Sequence, residues 1–240
     1  MEAGSISFHQ TSIAEEFSPF EESLPILAVI LGFLVLDVFL FWISRSPLSI
    51  GLGFVLVLLL GFTLYFFRNP KRTIPFNPFY VLSPADGKII EIEKEIHVSF
   101  SDSPVHKIAI FLSLWDVHVN RMPVEGKVIS KKYQPGTFQK AFLPEASSQN
   151  ESLCIEIASS EGPIWVKQIA GSLARRVVCK VQPGDHVLQG ACFGMIKLGS
   201  RVEVFLPCSV ELKVLVGDRV RAGETILGEF IHGKSLPSSS

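Results

Sequence analysis

The sequence predicts a mainly β domain, a β-rich barrel, carried behind an N-terminal α-helical membrane hairpin. Three observations lead there. Two long apolar runs stand close together near the N-terminus. From residue 73 the chain changes to short β-type runs between Gly and Pro turns. Charge divides at the same border: residues 1–67 hold one basic residue (Arg45) and six acidic ones, residues 68–240 hold 21 basic and 17 acidic. With 48% hydrophobic and 19% charged residues and a mean hydropathy of +0.37, the chain is too apolar for an ordinary water-soluble protein. Disorder over most of the length is excluded, since it requires low hydrophobicity and high charge. A net charge of −1 disfavours a nucleic-acid binder.

Residues 1–24 are acidic and read as a loosely ordered tail, and residues 25–67 as the membrane unit. Ile26–Ile43 is broken only by Asp37, and Pro25 before it suits a first helical turn. Ser44-Arg45-Ser46-Pro47 ends this run, and Leu48–Phe67 is a second run without charge. Each approaches the ~20 residues that cross a bilayer core as helix. A shallow re-entrant hairpin is the alternative to two full crossings. A cleaved signal peptide is disfavoured, because the runs are long, paired and preceded by acidic residues. Asp37 is expected to face the other helix or to be protonated. The second run ends at Phe66-Phe-Arg-Asn-Pro-Lys-Arg72, whose three basic residues outnumber Arg45 in the connection. The positive-inside rule therefore puts the domain after it in the cytoplasm, at the cell membrane.

Beyond it, Lys88–Glu95, Lys107–Leu114, Gly126–Tyr133, Cys154–Ala158, Ile164–Ile169, Arg176–Val181, Val202–Leu206 and Glu211–Val216 have strand character. Residues 136–150 suit a loop or short helix. Two echoes occur. Pro84-Ala-Asp-Gly-Lys-Ile-Ile90 resembles Pro123-Val-Glu-Gly-Lys-Val-Ile129, and Gly184-Asp-His-Val-Leu-Gln-Gly190 resembles Gly217-Asp-Arg-Val-Arg-Ala-Gly223. The second pattern resembles hairpins of lipoyl and biotinyl carrier domains, the barrel-sandwich hybrids. A non-catalytic carrier or adaptor is one reading of it, with Lys197 as the modifiable lysine.

Three segments carry candidate chemistry: Ser83-Pro-Ala-Asp86-Gly87-Lys88, Leu114-Trp-Asp-Val-His118-Val-Asn-Arg121-Met-Pro123 and Phe193-Gly-Met-Ile-Lys-Leu-Gly199-Ser200-Arg201-Val202. They supply an acid, an imidazole and a hydroxyl beside a glycine, the groups needed to activate a serine nucleophile. No Gly-x-Ser-x-Gly elbow or Gly-x-Gly-x-x-Gly fingerprint is present. Cys154, Cys179, Cys192 and Cys208 lack the paired spacing of a zinc site and are expected to be reduced thiols, with no metal bound.

From about Phe66 to Phe230 the chain resembles the short, membrane-anchored form of phosphatidylserine decarboxylase. The matching text includes Phe66–Arg72, Ser83–Gly87, Val117–Arg121, Tyr133-Gln-Pro-Gly136, Asn150-Glu151, Gln168–Arg176, Pro183–Asp185 and Gly194–Arg201. The resemblance implies that Ser200 attacks the carbonyl of Gly199 and that the chain splits there. The large subunit would be residues 1–199 and the small one 200–240, together a domain of residues 68–240 behind the anchor. Ser200 would become a pyruvoyl group, the covalent cofactor, which forms a Schiff base with the serine headgroup of the phospholipid and withdraws electrons as CO₂ leaves. His118 would be the general acid, and Asp86 the acid that orients an imidazole during self-cleavage. The longer enzymes of the family carry a second His where this chain has Arg121. Either His118 serves both steps, or Arg121 stabilises the oxyanion. They also carry Thr where this chain has Arg201. Arg175 and Arg176 are candidates for the lipid phosphate, and Tyr133–Phe142 for a flap near the headgroup. The implied partners are a phospholipid, the membrane and the two fragments, with a homo-oligomer compatible and nucleic acid not. A decarboxylase of another serine lipid, such as an ether-linked archaetidylserine, is the neighbouring alternative.

Overall fold

The computed structural model describes residues 17–143, 145–172, 177–197 and 199–231. Arg175 and Arg176 therefore lie outside the described residues.

Helix α1 spans Pro19–Ser44 and α2 spans Pro47–Phe66. Pro19 opens α1 with Glu21 and Glu22 in its first turn, where a free N–H is not needed and negative charge is favoured. The helix thus starts ahead of the apolar run, and Pro25 sits inside it rather than in its first turn. The reason is Phe17, expected in a loose tail. Its N–H donates to Cys192 O at 3.2 Å, and its ring is buried with Phe66, Phe67, Val117, Val119, Cys192 and Met195. This cluster fastens the base of the hairpin to the β domain. Arg45, at φ 52, ends α1, and Ser46 Oγ accepts the N–H of Leu48 to start α2. Asp37 is buried against α2, so close to Gly53 that a Cβ there would stand 2.9 Å from Asp37 Oδ2. Both helices are long and apolar enough to cross a membrane. Most of their large side chains face outward and are exposed.

The β domain continues with β1 (Tyr80–Leu82), β2 (Gly87–Ile96), β3 (Val105–Leu112), β4 (Val119–Arg121) and β5 (Gly126–Gln134). A short helix α3 (Ala146–Gln149) precedes β6 (Ser152–Ser159), β7 (Gly162–Ile169), β8 (Val177–Cys179), β9 (His186–Val187) and β10 (Cys192–Ile196). Then come β11 (Ser200–Pro207), β12 (Val210–Leu212), β13 (Arg219–Val220) and β14 (Ile226–Phe230). Eight strands form one curled sheet in the order β13-β2-β3-β11-β7-β6-β5-β9. Two three-stranded sheets, β1-β14-β12 and β4-β10-β8, complete the domain. Its main core gathers Ile108, Ile110 and Leu112 of β3, Val166 of β7 and Val202 and Val204 of β11. The fold class is as the sequence predicts: mainly β, with an apolar helical pair in front.

The echoes prove to be symmetric structure. Strand order in the large sheet reads as the same arrangement from either end, with β11 and β7 at its centre. Leu82 N–H donates to Pro123 O at 2.9 Å, and Arg121 N–H returns the bond to Pro84 O at 3.0 Å. Gly217 N–H donates to Ile89 O and Gly184 N–H to Val128 O, each equivalent in its own echo. Asp218 Oδ2 accepts from Leu215 N–H as Asp185 Oδ2 accepts from Gln182 N–H, both at 2.8 Å. Ile74 packs against both Gly190 and Gly223. The domain is thus two related halves about a pseudo-two-fold axis.

Candidate active site

Ser200 is the first residue of β11, opposite Leu112 of β3, and is fully buried. Its Oγ has no hydrogen-bond partner among the described residues. Gly199 before it has φ +62, the left-handed region that costs a residue with a Cβ roughly 1 kcal/mol. Its carbonyl oxygen lies against Gly171: a Cβ built on Gly171 would stand 1.8 Å from Gly199 O and 3.2 Å from the Cβ of Ala141. Gly171 therefore makes room for the Gly199 carbonyl, a role its place in the Gln168–Arg176 motif did not disclose.

His118 is buried just ahead of β4. Its carbonyl accepts from Ile196 N–H at 3.4 Å, which sets it beside the chain leading to Ser200. Its ring stacks on Phe66 of α2 with centroids 4.3 Å apart. Nδ1 lies 2.9 Å from Asp116 O. A carbonyl only accepts, so Nδ1 carries the hydrogen and Nε2 keeps a lone pair. That Nε2 is buried and has no partner among the described residues. Burial pushes the imidazole down from 6.5 to about 4, against the bond and charge of Asp116 and together with the nearby Arg68 charge. At neutral pH His118 is accordingly a neutral base. The turn that presents Asp116 O is fixed by Asp116 Oδ2, which accepts from the N–H and Oγ of Ser113 at 2.8 and 2.6 Å.

Asp86 lies elsewhere in its bonding. Arg72 Nη2 donates to both its oxygens at 3.0 and 2.8 Å, and Ala222 N–H donates to Oδ1 at 2.7 Å. No imidazole is among its partners in the described residues. Arg121 donates to Gly190 O at 2.9 Å and Asn69 Oδ1 at 2.7 Å, and the oxyanion role expected of it would require breaking these bonds. Between these two residues Asn120 turns the other way. Its Nδ2 donates to Pro84 O at 3.3 Å, and its Oδ1 accepts from Gln168 Nε2 at 2.8 Å, all buried. So the structure gathers Ser200, Gly199 and Gly171 tightly, sets His118 alongside, and gives Asp86 and Arg121 other partners.

The segment after β5 covers the sheet next to this site. Asn150 is fully buried and uses all its bonding capacity. Its Nδ2 donates to Gln139 O and Ala170 O at 2.9 and 2.8 Å, and its Oδ1 accepts from Gln139 N–H and Thr137 Oγ1 at 2.9 and 3.2 Å. Beneath it Arg201 and Glu203 are buried on the sheet's outer face, paired at 2.8 Å. Arg201 also bonds Glu91, and Glu203 accepts from Ser147 Oγ at 2.9 Å. Lys197 is committed to Glu22 of α1 at 3.2 Å, unlike the free tip lysine a carrier domain needs. Cys154 and Cys179 are free thiols pushed up to about 11 by burial, hence inert.

A family profile described as phosphatidylserine decarboxylase matches residues 59–228. The chain is 43% identical over 223 residues to the phosphatidylserine decarboxylase proenzyme of Syntrophus aciditrophicus, covering 92% of this chain and 99% of that one. Against the protein of the same name from Desulfotalea psychrophila it is 42% identical over 212 residues, 88% and 99% of the two chains. For Nitrosomonas eutropha the identity is 40% over 219 residues, 91% and 95%.

Proposed function

The chain belongs to the phosphatidylserine decarboxylase family, and on that footing we propose that it decarboxylates phosphatidylserine to phosphatidylethanolamine with a pyruvoyl group made from its own Ser200. The observation that carries this is the Gly199–Ser200 junction. A buried hydroxyl without a partner among the described residues adjoins a glycine in the left-handed region, and the carbonyl of that glycine is received by Gly171. These features fit self-processing: the hydroxyl is not tied up among the described residues, and glycine tolerates the left-handed backbone at the junction.

In the precursor, His118 Nε2 takes the hydroxyl proton as Ser200 Oγ adds to the Gly199 carbonyl carbon. The peptide C–N bond gives way to an ester, the Ser200 nitrogen taking a proton as it leaves. Elimination then removes the Ser200 Cα proton and breaks the Cβ–O bond, freeing the Gly199 carboxylate, and water hydrolyses the imine tautomer of the remaining enamine, releasing ammonia and leaving the new chain end. The pyruvoyl group there would supply an electrophilic carbonyl for the substrate amine and a sink for the electrons released with CO₂. A proton taken up from solvent at the same Nε2 in each turnover would make His118 the acid that serves the substrate carbon. Asp86 acts at one remove, by fixing the Ser83–Gly87 turn whose Pro84 carbonyl holds Asn120. Arg121 fixes the neighbouring Gly190 and Asn69. Arg175 and Arg176 are proposed to meet the lipid phosphate.

The helical pair would anchor this domain in the membrane with its catalytic part on the cytoplasmic side. Arg68 supports that placing. Its guanidinium covers the Tyr65 ring at 3.7 Å and donates to Trp115 O at 2.7 Å, an aromatic and basic collar of the kind found at membrane interfaces.

Intact-mass measurement tests the whole scheme. Wild type is expected as two fragments divided between Gly199 and Ser200, the small one blocked at its N-terminus. Ser200→Ala is expected as one inactive chain. A Ser200→Ala protein that still releases CO₂ from serine lipid would sink the reading.

A further inference from the structure

Gln168 of β7 is fully buried and stands opposite Val202 of β11. Residues opposite one another in an antiparallel pair share a sheet face, and the two-residue period puts Ser200 on that face too. Gln168 Nε2 donates to Asn120 Oδ1 at 2.8 Å and to Val178 O at 3.4 Å. The second of these partners can only accept, and Asn120 Oδ1 is fixed as an acceptor because the other end of that amide donates to Pro84 O. Neither amide can turn round without losing its bonds. Gln168 Oε1 is left as a buried acceptor with no partner among the described residues, the same condition as Ser200 Oγ and His118 Nε2. A buried amide oxygen without a donor is costly, and a fold that retains one invites a ligand donor to complete it.

We propose that Gln168 Oε1 accepts an N–H of the substrate amine beside residue 200, with Asn120 as the positioning residue that keeps the acceptor end forward. This rests on the pyruvoyl reading and adds the group that sorts the headgroup. A serine headgroup presents an amine and a carboxylate on one carbon. A neutral oxygen acceptor attracts the amine hydrogens and repels the lone pairs of the carboxylate. The amine is thereby turned toward residue 200 and the carboxylate away from it. A carboxylate side chain in this place would accept as well, but it would face Asn120 Oδ1 with a second acceptor.

The test is a competition between two phospholipids of one shape: ethanolamine lipid, which carries the amine, and propanol lipid, with methyl in its place. Gln168→Met keeps the length and removes the acceptor. It is expected to be cleaved into both fragments, to weaken inhibition by ethanolamine lipid at least ~10-fold, the worth of one hydrogen bond to a charged group, and to leave inhibition by propanol lipid unchanged. The KM for serine lipid should rise with it. Asn120→Ala should lose the amine preference in part, and Gln168→Glu, which retains an acceptor, should keep more of it than Gln168→Met. Equal changes for both lipids, or none, would overturn the proposal. So would a Gln168→Met chain that stays uncleaved while wild type is cleaved, since the residue would then belong to maturation. Uncleaved wild type is a different result and would remove the pyruvoyl reading itself.

Discussion

His118 shows how a single side chain can carry a pH signature. Its folded pKa, about 4, lies below the ordinary 6.5. The unfolded chain therefore binds more protons between those two values, and stability rises with pH across that window. Stability should be complete above about pH 6.5 and fall by ~3 kcal/mol as pH drops toward 4, from the size of the shift. Thermal unfolding in detergent at pH 7 and pH 4.5 measures this, in a Ser200→Ala background that keeps one chain. His118→Gln should remove most of the difference, and an unchanged difference would mean that other groups set it. Gly171 makes the complementary case by sterics. Gly171→Ala places a carbon in the Gly199 carbonyl and should block fragment formation, whereas Gly199→Ala meets nothing within 4 Å and bears only the backbone strain. Processing followed by gel should rank them in that order. Ser200, Gly199 and His118 were singled out as candidates in the sequence, from short motifs taken together with the family resemblance. Gly171 and Gln168 were not, since what they do depends on a carbonyl and an amide brought from far along the chain.

Among the elements, the segment between β5 and β6 depends on one buried side chain. Asn150→Ala would leave the Gln139 and Ala170 carbonyls and the Gln139 N–H short of partners. A cost of about 2–4 kcal/mol follows from one to three lost buried bonds, together with faster proteolysis within residues 135–149. Denaturant midpoints and limited digestion would show it, and wild-type resistance would refute it. The long strands were legible because β2, β5 and β6 each retain some alternation between buried and open faces. The short strands β1, β4, β10 and β14 were not. β10 is buried at every position, and a run with no open face has no period to detect. Arg201 and Glu203 put two charges on β11, and the segment over them brings Ser147 while the sheet brings Glu91, so the pair is buried with partners. The helical pair was legible from length and apolarity, and its early start was not, because Phe17 is ordered by contacts with β4 and β10 rather than by its neighbours in sequence.

At the level of the whole molecule, the echoes in the sequence mark two halves that exchange backbone bonds at Pro84 and Pro123. Their local similarity was visible in the sequence, while their pairing across an axis requires the fold. The central strand β11 lies at that axis, held by β3 on one side and β7 on the other. This has a consequence for the life history of the protein. Before cleavage, refolding is an intramolecular search, with β11 tethered to β10. Cleavage at its first residue, as proposed above, would make the same strand a separate chain inserted in the middle of a sheet, which any unfolding would release to diffuse away. The uncut Ser200→Ala chain should recover its fold after dilution from denaturant at any protein concentration. The cut protein should recover less as it is diluted, and hysteresis between its melting and cooling curves should widen. Equal recovery at all dilutions would mean the fragments never part. A mature molecule cut there would be built to be folded once, its durability set by a rate of escape rather than by an equilibrium.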